Sequence, residues 1–332
     1  MSYNLLNYPG SDTTLRNPEF RTVLSNIQPD ILVVQEMTSQ AGVNGFLNNV
    51  LNSISSGYAS GLFLDGPDTD NAIFFKSSIF TFISNVPILT ALRDINEFKL
   101  VHNLTGDTLR IYSLHLKASA TAADEQKRAA EVDSLRKRTN SLPSGSNYIV
   151  VGDYNIYGST ESAYQKLLNQ SGQGYLLDLF TLSGSWNQSQ YAAYHTQSPR
   201  VRQFGGGSNG GMDDRFDMIL MSRAILDQGG ITYIPGSYIV YGNDGNHYND
   251  SINRPPNTAV SQLVANALHN ASDHLPVIAS FTLSTAFVEL TSFTALIEGF
   301  FNGSTMVPDT VTIELRNAAF PYALIDQTKI LL

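Results

Sequence analysis

The chain has 332 residues, 42% of them hydrophobic and only 15% charged, with a formal net charge of −9. The apolar fraction supports a large core, and the length suits about two domains. The chain has no cysteine, which excludes structural disulfides and thiolate metal sites; the acidic balance excludes a broad basic footprint, so any phosphate must be met by a few local cations.

In chain order, Phe20, Val23, Leu24 and Ile27 fall at helical spacing on a segment that stops near Pro29. "DILVVQ" (30–35) reads as a buried strand ending at Glu36. Phe46, Leu47, Val50, Leu51 and Ile54 mark a second amphipathic helix. Strand patterns follow at 71–76, 97–103, 108–115 ("TLRIYSLH") and 147–152. Between the last two lies a polar helix, "ADEQKRAAEVDSLRKR". Its thin apolar face (Ala129, Val132, Leu135) predicts a surface position, with its terminal cations favoured by the helix dipole. A short helix is predicted over roughly 160–169, capped by Ser159 or Thr160, then strands at 216–222 and 276–283. The alternation predicts an α/β (α+β) fold with mixed sheets packed face to face and helices outside. Long loops at 184–214 and 236–257 are rich in Gly, Asn and Tyr, the composition of functional or mobile segments. From residue 284 the texture changes to period-two alternation with a turn at Asn302-Gly303, the start of a separate β-rich module. The organisation expected is a domain over 1–283 and a truncated module over 284–332.

Several strand ends carry polar chemistry: Asn4, Glu36, His115, the Asp153/Asn155 pair, Asp217, and Asp273 with His274. Residues i and i+2 of a strand face the same way, so Asp153 is expected to point with Asn155, and His115 with Lys117. Hard oxygen ligands without thiolates suit Mg²⁺, Mn²⁺ or Ca²⁺. Singly each residue has a plainer reading: "GDYN" suits a turn, Glu36 a solvated strand end, Asp217 an ion pair with Arg215. Their joint occurrence at successive strand edges is what those readings explain poorly. Carboxylates that gather a cation, together with histidines that move protons, are what phosphate-ester hydrolysis needs.

The ordered set "YNLLNYP", "PDILVVQE", "YSLHLKAS", "IVVGDYN", "DDRFDMILMS" and "ASDHLPV" resembles the endonuclease/exonuclease/phosphatase superfamily, the fold of deoxyribonuclease I, over residues 1–283. "HLKAS", "GGMDDRFD" and "GNDG" are similar more narrowly to secreted bacterial nucleases, and the tail to a β-rich module that follows such catalytic domains. The resemblance implies a four-layered sandwich of two mixed sheets with the site at one edge. It implies Glu36 as principal metal ligand, with Asn4 and Asp273 beside the metal or its waters. Asn155 and His115 would hold the scissile phosphate, and Asp153 would position or activate water. His274 would act as general base or phosphate clamp with its tautomer fixed by Asp217; which of Asp153 and the His274–Asp217 pair is the base stays open. Leu6 stands where some members carry an aspartate for a second metal, which favours one metal. Met37 and Thr38 follow Glu36 in place of a DNA-contacting arginine. Asn71 and Lys117 are further candidate substrate contacts.

The function expected is a secreted, Mg²⁺-dependent, monomeric nuclease of low sequence specificity acting on DNA or RNA. The alternatives are a phosphoesterase for a lipid or small molecule, and an inactive binding scaffold. No apolar stretch is long enough to span a membrane. A Cys-free, Asn/Ser/Thr-rich composition points to export, and both ends, without a signal peptide, read as cut from a longer protein. "FGGGSNGGMDD" (204–214) lacks the context of a phosphate-binding P-loop and reads as a flexible loop near the site. His195, His247 and His269 lack ligand spacing and read as structural, and the loop tyrosines read as packing groups before base-stacking ones.

Overall fold

The computed structural model describes residues 1–66, 68–226, 230–283, 310–316 and 324–331, which fall into two compact units, Met1–Phe287 and Val288–Leu332. The first unit begins with β1 (Ser2–Tyr8), α1 (Thr13–Ile27), β2 (Ile31–Met37), α2 (Gln40–Phe46), a π-turn over Leu47–Leu51 and α3 (Asn52–Ile54). Then come β3 (Tyr58–Ser60), β4 (Asp70–Lys76), β5 (Phe80–Ile88), β6 (Ile95–His102), β7 (Thr108–His115), α4 (Ala122–Asn140) and β8 (Tyr148–Asp153). It closes with α5 (Ser162–Leu168), a 3₁₀ turn at Ser189–Tyr194, β9 (Asp217–Met221), α6 (Arg223–Leu226), β10 (Ile231–Tyr233), β11 (Ile239–Val240), α7 (Gln262–Ala271), β12 (Val277–Ile278) and β13 (Phe281–Leu283). In the second unit, β14 (Thr310–Arg316) pairs antiparallel with β15 (Leu324–Leu331). The turn expected at Asn302-Gly303 lies outside the described residues.

Two mixed sheets form the frame. One runs β11-β12-β1-β2-β4-β3, parallel only between β1 and β2; the other runs β5-β6-β7-β8-β9, parallel only between β7 and β8. Their inner faces share a core of Val33, Ile73, Ile111, Ile149, Val151 and Ile219, while Phe20, Val23 and Leu24 of α1 seal the outside of the first sheet. Val132 and Leu135 of α4 pack with Leu167 of α5 on the outside of the second. This is the sandwich of two mixed sheets flanked by helices that the sequence leads one to expect.

Two local expectations change, and one feature is new. Helix α4 is not simply a surface helix: besides its apolar stripe it buries Arg128, Glu131 and Arg136. Arg128 pairs with Glu161 at 2.5 Å and donates to the carbonyls of Lys117 and Ser119, tying the chain after β7 to the start of α5. Helix α5 begins after Glu161 with no side-chain cap, because the Ser159 hydroxyl instead accepts the amide of Gly184. Between the sheets, toward the ends of β2 and β7, runs a polar seam rather than apolar packing. Ser2 donates to Gln35, Gln35 to Ser113, Ser113 to Asn71, Asn71 to Asn96, and Asn96 to Asn85, all at 2.9–3.3 Å. Each buried amide is thereby satisfied, which a polar interior requires.

Candidate active site

The register of the second sheet places His115 of β7 beside Asp153 of β8, and Asp153 beside Asp217 of β9. Three polar residues therefore sit in one row at one edge. The first sheet meets this row with Asn4 of β1 and Glu36 of β2. The Asn4 amide donates to Glu36 Oε1 at 2.9 Å and to Asp153 Oδ2 at 3.3 Å, bridging the two sheets. Its own oxygen accepts the Leu6 amide, which fixes the orientation. Asn4 thus presents its NH₂ group to the carboxylates, while its oxygen accepts the Leu6 amide.

The backbone here is bent to purpose. Leu6, Asn7, Glu36 and Asn155 all have φ between 49° and 59°, the left-handed region, costing each about 1–3 kcal/mol. The β1–β2 ladder shifts register between Asn4 and Tyr8, and the Asn7 amide reaches Glu36 Oε2 at 2.9 Å. At Gly152 (φ 133°) a Cβ would collide with the carbonyl oxygen of Leu114, so only glycine lets β7 and β8 approach so closely before Asp153.

His274 completes the row. Its Nδ1 lies 2.7 Å from Asp217 Oδ2, its Nε2 is 3.7 Å from Asp153 Oδ2, and the Gln197 carboxamide nitrogen sits 2.6 Å from Nε2. Burial opposes charge on His274, but the Asp217 and Asp153 carboxylates outweigh it and hold its pKa well above the usual value. His115, with Nε2 at 3.5 Å from Asp153, is driven the other way by burial, Arg93 and His274. Asp153 is pushed up to about 7 by burial, with His274 pulling it down and Asp217 and Glu36 adding to the rise. Burial and the Asp273 carboxylate also raise Glu36. The two histidines thus differ in character, the proton affinity of one raised and that of the other lowered.

A divalent cation fits this set. Glu36, His115 and Asp153 each offer a ligand atom within 4.8 Å of the others. Asp273 accepts the Ser208 amide through Oδ2 at 2.6 Å while its Oδ1 is buried without a hydrogen-bond partner. Clustered, desolvated carboxylates with raised pKa values are what a hard cation would relieve. Asp153 and His115 thus lie beside Glu36 at the candidate centre, in addition to the Asn4 and Asp273 that the resemblance implies there.

Of the remaining candidates, Asn155 lies at the row, its amide N–H on Asp153 Oδ1 and its side chain donating to Leu116 O at 3.1 Å. It gets there by a turn and not by strand alternation, because β8 ends at Asp153. For the same reason Lys117 does not point with His115: β7 has ended, and the ammonium lies on Ala118 O at 2.8 Å and 3.5 Å from Asp124. Asn71 is absorbed in the polar seam between Ser113, Asn96 and Asp94 O. Arg215 forms a bidentate pair with Asp178, leaving Asp217 to His274. Sequence reasoning missed Gln197, and Thr196, whose hydroxyl accepts the Asp217 amide. Both sit in the long 184–214 loop, and no spacing rule links Gln197 to His274, 77 positions away, or Thr196 to Asp217, 21 away. The glycine-rich stretch holds Asp273 through Ser208. His195 is fully buried between Trp186 O and Met212 O, a structural role.

A mixed double sheet with an acidic, histidine-bearing edge suits the hydrolysis of phosphate esters. The chain belongs to the endonuclease/exonuclease/phosphatase family, whose model matches residues 1–274. Family members are hydrolases acting on phosphoester bonds and generally use divalent metals. Solved structures of the same fold include D. rerio TDP2 complexed with single-strand DNA product (16% identity, TM-score 0.55, 85% of this chain and 97% of that one). The human Nocturnin catalytic domain with bound sulfate has 19% identity and TM-score 0.55, covering 85% and 92%. A mannosyl-6-phosphatase from Bacteroides thetaiotaomicron has 19% identity and TM-score 0.51, covering 85% and 98%. No curated protein sequence matches the chain. No helix among the described residues is long and apolar enough to cross a membrane.

Proposed function

We propose that the protein is a Mg²⁺-dependent phosphodiesterase that cuts nucleic acid, an exported nuclease of low sequence specificity. The observation that carries the reading is the row His115–Asp153–Asp217, closed by Asn4 and Glu36 from the other sheet and by His274. Glu36, with His115, Asp153 and Asp273 around it, would hold a divalent cation, which would supply charge neutralisation at the phosphoryl oxygen. The protein's own groups do the rest. Asn155 and His115 offer neutral donors to a phosphate oxygen. Asp153, set between His115 and His274 at the sheet edge, accepts the proton of an attacking water. Asp217 holds His274 through Nδ1, so Nε2 is the atom that clamps phosphate or hands on a proton. The single-strand DNA product in the TDP2 structure supports a nucleic-acid substrate, as a likeness of fold.

The test is hydrolysis of plasmid DNA, RNA, sphingomyelin and a bis-aryl phosphodiester, with Mg²⁺ or EDTA, alongside His274→Ala and Asp153→Asn. Cleavage of nucleic acid that is lost with EDTA and in both variants supports the reading. Cleavage of only the lipid or small ester replaces it with the general phosphoesterase reading, and activity that survives EDTA and both substitutions overturns the mechanism.

A further inference from the structure

An imidazole ring has two nitrogens, and each has a single hydrogen-bonding direction in the plane of the ring. In His274, Nδ1 is taken by Asp217 Oδ2 at 2.7 Å, and that bond already orients the ring. Nε2 is the atom left for chemistry, yet it does not stand open. The Gln197 carboxamide lies 2.6 Å from it, whereas Asp153 Oδ2, at 3.7 Å, is beyond hydrogen-bond length.

The backbone builds this placement from both sides. Gln197 N donates to Asp214 O at 3.1 Å, and Gln197 O accepts the amides of Asp213 and Asp214, each at 3.0 Å. Thr196 Oγ1 accepts the amides of Phe216 and Asp217 at 3.1 and 3.0 Å, and Thr196 O accepts the Leu275 amide at 2.7 Å. The segment is thus tied to both members of the Asp217–His274 pair. The side chain is held far less. Among the described residues its carboxamide makes no hydrogen bond besides the one at Nε2. Gln197 is only half-buried and its backbone groups are satisfied without the side chain, so neither burial nor the backbone requires that contact.

A carboxamide suits Nε2 whether or not the ring nitrogen carries a proton. It offers an N–H to a bare Nε2 and, turned over, an oxygen to an Nε2–H. It is also uncharged, flexible and held by one bond. A phosphate oxygen is charged, and the hydrogen bond it accepts is stronger than that of a neutral amide. One ring nitrogen serves one partner along one direction, so phosphate and carboxamide cannot both hold Nε2.

We propose that Gln197 is an affinity-setting residue of the hydrolytic site: in the free protein its carboxamide occupies the position at His274 Nε2 that an oxygen of the scissile phosphate takes in the complex, and it swings aside when the phosphate arrives. This rests on the assignment of Nε2 to phosphate in the function proposed above. A neutral group such as an alcohol or an uncharged ester gains nothing over the amide and leaves it in place, whereas a phosphate anion displaces it. Gln197 therefore favours charged phosphoryl oxygens over neutral ones, while lowering the affinity for both.

The test uses the full chain with Mg²⁺ and compares wild type with Gln197→Ala, Gln197→Asn and Gln197→Glu, and with Gln197→Ala combined with His274→Ala. Kinetics on bis-p-nitrophenyl phosphate give KM and kcat, and calorimetric titration with inorganic phosphate gives an affinity that needs no turnover. Gln197→Ala should tighten phosphate binding and lower KM by about fivefold, the net worth of one neutral hydrogen bond, with a smaller change in kcat. Gln197→Asn, one methylene short of Nε2, should match it. Gln197→Glu sets a carboxylate against the imidazole and should weaken phosphate binding and raise KM by about tenfold or more. Without His274, Gln197→Ala should change phosphate affinity by less than about twofold, since the contact it removes is already gone. A residue that merely supported the loop would weaken binding in every variant and tighten it in none. A Gln197→Ala protein that binds phosphate no more tightly than wild type, or that keeps its full effect without His274, overturns the assignment and leaves the function proposed above intact. Wild-type and His274→Ala proteins that bind phosphate equally well remove Nε2 from that function, and the assignment to Gln197 with it.

Discussion

Replacing Asp153 by asparagine should stabilise the metal-free protein while abolishing its activity. Asp153 is 2% exposed, and burial pushes its carboxyl up to about 7 from an ordinary 3.8. A folded-state pKa above the unfolded one means the native protein binds the proton more tightly. The carboxyl therefore favours the fold most below about pH 4; stability falls as pH rises towards 7, and above 7 the buried charge weighs on the fold in full. A rise of about three units is worth on the order of 4 kcal/mol at pH 8. Asparagine keeps an acceptor for the Asn155 amide but turns its NH₂ toward Asn4 and His274. Losing those two contacts costs about 1 kcal/mol each. The variant should gain about 2 kcal/mol net, or a Tm higher by roughly 4–8 °C. Thermal and urea unfolding in EDTA at pH 8 and pH 5 provide the assay. Other raised carboxyls titrate in the same window, Asp214 at about 7 and Asp70 at about 6, so the quantity to read is the gap between variant and wild type. The gap should close at pH 5, where wild-type Asp153 already carries its proton. A variant less stable than wild type at pH 8, or a gap that persists at pH 5, would refute the reasoning.

Asp217→Asn should lower kcat on a bis-aryl phosphodiester by about 10²–10⁴-fold with KM little changed, since it removes the carboxylate that orients and charges His274; a KM-only effect would contradict that role. Glu36→Gln should erase the rise in Tm that Mg²⁺ gives the wild type, which amounts to about 2.7 kcal/mol at a hundredfold excess over Kd, as scanning calorimetry can measure. Arg128→Met should destabilise by about 3–5 kcal/mol in urea, because Glu161 is left buried without its partner, and Arg128→Met combined with Glu161→Leu should recover much of that loss.

The frame was legible in the sequence because its signals are local. Helix α1, strand β2 and strand β7 follow directly from apolar period and from breakers such as Pro29. The short strands were not legible. β3, β10 and β11 span two or three residues each, too few for a period to register, and β12 and β13 split what reads as one strand over 276–283. β5 carries Pro87 and an exposed face, which weakens its pattern against the strands beside it. The polarity of α4 read as solvation, yet Arg128, Glu131 and Arg136 are buried because each finds a partner elsewhere in the chain. The same blindness applies to the surroundings of Asn71 and Lys117: residue type marked them as able to touch phosphate, and only the fold shows Asn71 donating to Asn96 and Lys117 to the Ala118 carbonyl.

By itself, then, the sequence determined which chemistry is present and roughly where along the chain: hard carboxylates and histidines at strand ends, no thiolates, a double-sheet frame, and membership of a phosphoester-cleaving family. These are properties of residue type, period and order. Tertiary structure decided how those groups are used. Register put His115, Asp153 and Asp217 in one row, and a left-handed backbone at Glu36 and Asn155 turned side chains that strand alternation would have aimed elsewhere. It gave His274 its high proton affinity and His115 its low one, since each depends on carboxylates and cations brought from distant parts of the chain. Burial and approach of opposite charges set a pKa, and both arise only when the two sheets have closed on each other.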